Sequence, residues 1–216
     1  MLKSLNNILF AVTGNMVKPV KTFLRTSLVV ALIVLFSINA YAQPKSWDEL
    51  NDQIDILFEE GDYSEVIVVS EKALKVANET YGADHPNTAK SMDALANVYN
   101  HLGKFKDAES LYCQALAIKE KTLGKDHQDV ATSMNSLAQL HRIMGRYSDA
   151  EPLLKQVLEI MENEFGNDHL KIVPILENLA GCYWKMGEKD KAKKLEKRAL
   201  QIRLRWTPTN STQTLI

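Results

Sequence analysis

Gly103-Lys104-Phe105 separates two stretches of apolar periodicity, and near copies of it stand at Gly61-Asp62-Tyr63, Gly145-Arg146-Tyr147 and Gly187-Glu188-Lys189. The interval is 42 residues each time. Ala73-Leu74, Ala115-Leu116, Val157-Leu158 and Ala199-Leu200 keep the same step, as do Ala108, Ala150 and Ala192. Tyr81-Gly82, Leu123-Gly124 and Phe165-Gly166 follow it too, each with an Asp-His pair close behind at Asp84-His85, Asp126-His127 and Asp168-His169. One period of about 20 to 50 residues, held at this many positions, is the mark of a solenoid.

Each unit predicts two helices. Between Thr88 and His101, Met92, Leu95, Ala96, Val98 and Tyr99, with Leu102 just beyond, fall at the three-and-four spacing of a helix with one buried face, and Gly103 ends it. A longer stripe runs from Phe105 through Ala108, Leu111, Tyr112, Ala115, Leu116 and Ile118 to Leu123, closed by Gly124. Small residues such as Ala96, Ala108 and Ala115 recur where two helices must approach to about 8 to 10 Å. No strand pattern interrupts the series, so the fold class is all-α.

Leu95-Ala96, Tyr99, Gly103, Phe105, Ala108-Glu109, Leu111-Tyr112, Ala115-Leu116, Ile118 and Leu123-Gly124, in that order, resemble the tetratricopeptide repeat in the 42-residue form of kinesin light chains. The resemblance covers residues 47 to 206 and implies a right-handed α-solenoid of four helix-turn-helix repeats, at about 47–84, 85–126, 127–168 and 169–206. It also implies a protein or peptide partner and no enzyme or cofactor. In such arrays the first helices line the concave side, where an Asn pair ahead of the Leu-Ala pair hydrogen-bonds a peptide backbone. The pair survives in part, as Asp93-Ala94, Asn135-Ser136 and Glu177-Asn178, with Asn97, Gln139 and Gly181 one turn on. An amide offers donor and acceptor together, which suits an extended backbone. Arg142 and Lys185, set against Asp52, Asp55 and Asp93 in earlier repeats, would add a charge gradient that fixes a ligand's direction. The groove candidates are therefore Asp93, Asn97, Asn135, Gln139, Arg142, Asn178 and Lys185.

The end repeats depart from the pattern. The first helix is acidic, with Asp48, Glu49, Asp52, Asp55, Glu59 and Glu60. The last is predicted to bury Ala192, Leu195, Ala199, Ile202 and Trp206 and to show Lys191, Lys193, Lys194, Lys197, Arg198, Arg203 and Arg205 elsewhere. Terminal repeats need polar outer faces. This polarity sustains an alternative function, weak self-association of an acidic cap with a basic one. A hydrolase with an unrecognised site is a third class.

Composition weighs against other classes. The formal net charge is -1, but Lys3, Lys18, Lys21 and Arg25 all precede residue 42, and no acidic side chain does. Without them 22 of the 26 basic side chains face 27 acidic ones. A mildly acidic body lacks the basic stripe that a nucleic-acid binder uses to displace counterions. His85, His127 and His169 are not read as a metal site, because equivalent residues of successive repeats lie at least one helix spacing apart, whereas zinc holds each nitrogen at about 2.0 to 2.1 Å. Each Asp-His pair is expected to shape the loop and cap the following helix. Cys113 and Cys182, two repeats apart, are expected as buried free thiols, since a bridge needs Cα atoms within about 7 Å.

Residues 1–42 are expected to be a signal peptide. Lys18, Lys21 and Arg25 form a positive segment, Ser27 to Phe36 an apolar core, and Ala40-Tyr41-Ala42 a small-x-small cleavage site. Met16 offers an alternative start to Met1. Retention as a membrane anchor is the other reading, because the 17 uncharged residues from Thr26 to Ala42 sit at the lower edge of a span. Residues 43–206 form the solenoid and 207–216 a polar tail. Mass spectrometry of envelope material should find a mature chain that begins at Gln43. An intact N-terminus held in the membrane fraction would mark the segment as an anchor instead.

Overall fold

A computed structural model describes residues 46–206, so the expected signal segment, its cleavage site and the tail at 207–216 lie outside the described residues. The described chain is a series of antiparallel helix pairs: α1 (Trp47–Glu60) with α2 (Tyr63–Tyr81), α3 (Pro86–His101) with α4 (Phe105–Leu123), α5 (Gln128–Ile143) with α6 (Tyr147–Phe165), and α7 (Val173–Met186) with α8 (Lys189–Trp206). Among the described residues no strand is present.

Local chemistry sets the ends of these helices. Ser46 and Glu49 form a reciprocal capping box at the start of α1, which satisfies two backbone donors that the first turn leaves unpaired. At its other end Gly61 takes φ 76° and donates its N–H back to the last turn. A side chain in that left-handed conformation would be strained, which is why the column is glycine in every repeat. The histidines of the Asp-His pairs are the caps expected of them. His85 Nδ1 accepts from the Asn87 amide at 3.1 Å, His127 from Asp129 at 3.1 Å and His169 from Lys171 at 3.2 Å. Two of the aspartates tie these loops to second helices: Asp84 accepts from Lys121 at 2.7 Å, and Asp168 pairs with Arg205.

The fourth repeat starts differently from its neighbours. Leu170–Ile172 form a 3-10 turn before α7 begins at Val173. Proline carries no N–H and restricts the residue ahead of it, so Pro174 is accommodated only within the first turn of α7, whereas Pro86 stands at the very start of α3.

Packing follows the alanine columns. Ala96, Ala138 and Ala180 on first helices and Ala108, Ala150 and Ala192 on second helices are buried throughout, with Ala73, Ala115 and Ala199 further along. Absent side chains let the two backbones of a repeat close together, and larger residues fill the space around the crossing. The largest cluster joins Val130, Met134 and Ala138 to Leu154, Val157 and Ile160 and on to Leu179 and Tyr183, so the core runs on from repeat to repeat. Each helix packs on the one before and after it, and α3 also touches α5.

Three expectations about burial are corrected. Cys182 is a buried free thiol, but the free thiol of Cys113 is exposed. Leu195 is only partly buried. Trp206 is 50% exposed: among the described residues no helix covers the last turn of α8, and the ring lies against His169, donating from Nε1 to the Asp168 carbonyl at 2.9 Å. Ala138 is fully buried at the crossing of α5 and α6, so Ala138→Leu should overpack it and cost about 1 to 3 kcal/mol in chemical denaturation.

Candidate peptide-binding groove

The last two turns of α5 and the middle of α7 face one another across a cavity of about 460 Å³, lined by Gln139, Arg142, Ile143, Asn178, Gly181 and Lys185, with Tyr147 at the start of α6. Four of the expected groove residues therefore converge here: Gln139, Arg142, Asn178 and Lys185. Arg142 spans the gap, its Nη1 donating to Asn178 Oδ1 at 2.5 Å. Gly181 lies beside that reach, and a Cβ there would stand 3.5 Å from Arg142 Nη2, an ordinary van der Waals contact. No carboxylate lines the cavity, and its charged lining residues are the cations Arg142 and Lys185. Lys185 and Gln139 are exposed on its rim. Below it, burial pushes the Cys182 thiol up while the Arg142 charge draws it down, and the net direction is upward. A thiol held that way stays protonated and is a poor nucleophile.

The other candidates lie elsewhere and are occupied differently. Asp93 does not present an open carboxylate. Its Oδ2 accepts from Lys119 Nζ at 2.6 Å and from Ser133 Oγ at 2.6 Å, while Lys119 also donates to Ser133 Oγ at 2.8 Å. Burial pushes the Asp93 carboxyl up, and the charge and hydrogen bonds of Lys119 only partly offset it. Asp93 consequently adds little to the expected charge gradient, whose acidic end rests on Asp52 and Asp55. Asn97 is exposed but accepts at Oδ1 from the Tyr112 hydroxyl at 2.5 Å. Asn135 and Asn178, expected to line the open concave side, are both half-buried. The Oδ1 of Asn135 is buried with no hydrogen-bond partner among the described residues.

Lys119 went unnoticed in the sequence, although a signal for it exists. Its column holds Ala77 in the first repeat and Met161 in the third. A lysine in an apolar column must find a carboxylate, and Asp93 lies on the helix facing it. In the fourth repeat the same columns carry Arg203 and Glu177, which pair at 2.8 Å. A second charged cluster joins repeats, with Glu109 accepting from Arg146 at 2.6 Å and lying 3.0 Å from His141 Nε2. Burial raises that carboxyl, but the bonds and charges of Arg146 and His141 prevail and hold it below the usual carboxylate range.

A family profile described as tetratricopeptide repeat matches residues 50–121, 116–163 and 129–205. The chain belongs to the tetratricopeptide repeat family. Solved structures agree on the fold. BtubC (BKLC) from P. vanneervenii superimposes with a TM-score of 0.68 at 24% identity over 75% of this chain and 64% of that one, so this chain spans less than two thirds of that relative's length. A Podosopora anserina protein with nearly identical kinesin light chain TPR-like repeats gives a TM-score of 0.66 at 22% identity, covering 85% of this chain and 89% of its own. MamA is similar at a TM-score of 0.58 and 15% identity, over 79% and 85% of the two chains. Among curated proteins no match is found.

The Lys119 side chain is 6% exposed and that of Asp93 14%, so removing one partner strands a buried charge. Lys119→Met should lower stability by about 3 to 5 kcal/mol at neutral pH in urea unfolding. That loss should shrink as pH falls. The folded-state carboxyl of Asp93, already raised by burial and now without its lysine, binds a proton more readily than in the unfolded chain, which favours the folded form below its raised pKa. Lys119→Met combined with Asp93→Asn should recover most of the stability at neutral pH.

Proposed function

We propose that the protein is an exported interaction scaffold whose third and fourth repeats hold an extended peptide segment bearing a carboxylate. The coarse part follows from the family: tetratricopeptide arrays present surfaces for protein or peptide partners, and function lies in the site the fold carries. The finer part rests on one observation, the convergence of Arg142, Lys185, Gln139 and Asn178 on a cavity without a carboxylate. Arg142 brings a planar fork suited to a carboxylate, Lys185 a second cation, and the two amides donor and acceptor groups for the peptide backbone. Asn178 keeps the guanidinium extended across the gap before a ligand arrives, so little side-chain freedom is lost on binding. Export is proposed on the signal-like segment at residues 1–42. This reading is of a binding protein and not an enzyme, without cofactor or nucleic-acid ligand, and with membrane contact only if that segment is retained.

Fluorescence anisotropy with labelled peptides of equal length, one set rich in Asp and Glu and the other in Lys and Arg, tests the site directly. The acidic set should bind the full chain and the basic set should not. Arg142→Ala with Lys185→Ala should weaken the acidic set by about 1.5 to 3 kcal/mol for each charge-assisted hydrogen bond removed. The melting temperature should hardly move, because changes at exposed or half-exposed positions usually stay within about 0.5 kcal/mol. Equal binding of both sets, or full affinity in the double variant, would remove the claim on this groove.

A further inference from the structure

Among the described residues, the two ends of the array carry the residues of a repeat interface with no helix stacked on them. On the first helices, Val98, Leu140 and Cys182 occupy one column and are fully buried, yet Ile56, their equivalent on α1, is 57% exposed. On the second helices, Leu74, Leu116 and Leu158 are partly buried, and Leu116 packs on the cluster that contains Leu137 and Leu140 of the next repeat. Their equivalent on α8, Leu200, is 57% exposed. These two faces are the halves of one kind of contact: the inner repeats join a second helix to the following first helix through these same columns.

Charge completes the match. Within the array Lys119 on α4 holds Asp93 and reaches across to Ser133 on α5. At the open end Arg203 holds Glu177 in the same way, and the residue that a following α1 would bring to the place of Ser133 is Glu49. The inner pair of Glu109 with Arg146 has as its open-end equivalents Lys193 on α8 and Asp62 at the start of α2, opposite in sign to the inner pair and again complementary. All four of these end residues are exposed. Helix α1 has six acidic side chains and no lysine or arginine, while α8 carries eight lysines and arginines against Asp190 and Glu196.

We propose that the chain assembles head to tail with further copies of itself, the outer face of α8 of one copy receiving α1 of the next as though it were a fifth repeat. Two α8 faces would repel, as would two α1 faces, which disfavours a two-fold dimer. A contact between unlike faces builds open chains or rings rather than closed pairs. The groove between α5 and α7 stays clear of this contact, so an assembly would present the groove at each repeat of the chain.

Sedimentation velocity of the full chain over a range of concentrations and salt tests the proposal, with circular dichroism to establish that each variant is folded. The native chain should grow in mass with concentration and shrink with added salt, which screens the facing charges. Lys193→Glu with Arg203→Glu spoils the tail, and Ile56→Lys spoils the head. Each variant alone should associate about tenfold more weakly or worse. Mixing the two should restore association, since the tail variant retains a native head and the head variant a native tail. Acidic peptides should still bind both variants, which separates this interface from the groove. A native chain that stays monomeric, variants that assemble as well as the native chain, or a mixture no heavier than its components would each overturn the proposal.

Discussion

The close crossing of the two helices in the second, third and fourth repeats governs the rest of the molecule. Ala138 meets the second helix of its repeat with no side chain beyond Cβ, as Ala96 and Ala180 do in theirs, and only that shortness lets large residues such as Leu154 and Tyr112 fill the flanks without gaps. Because the crossing recurs every 42 residues from Ala96 onward, these repeats present the same pair of faces to their neighbours. The array grows in one dimension, and every repeat depends on the next to cover its apolar columns.

Function is shaped by this stacking in two places. First helices leave a cavity between α5 and α7 whose lining gathers Arg142, Lys185, Gln139 and Asn178. The ends of the array, by contrast, expose columns that are buried further in. Ile56 and Leu200 stand in interface columns, yet among the described residues no helix lies over them and each is 57% exposed. The acidic character of α1 and the basic character of α8 keep these faces from meeting their own kind.

The buried Lys119–Asp93–Ser133 group shows where repeat symmetry gives way. Asp93, Asn135 and Glu177 are equivalent in register, yet their surroundings differ. Asp93 is neutralised from the facing helix, Asn135 leaves a carbonyl oxygen without a partner among the described residues, and Glu177 pairs with Arg203 at the rim. Treating equivalent positions alike would assign all three to a ligand. Their actual role depends on the residue placed opposite, which in the second repeat is a lysine and in the third is Met161.

Sequence alone determined the period, the helix pairs, the glycine stops and the histidine caps, because each follows from residues near one another in the chain: turn conformations, capping bonds and the 3.6-residue face are local physics. It also placed Gln139, Arg142, Asn178 and Lys185 on one side of their helices. Tertiary structure decided which of the polar candidates share a cavity, that Asn135 and Asn178 are half-covered, that Asp93 is spent on Lys119, and that Trp206 and Leu200 lie open. Those outcomes turn on what a neighbouring repeat places opposite each side chain, and burial, pairing and desolvation are properties of that facing pair rather than of either residue alone.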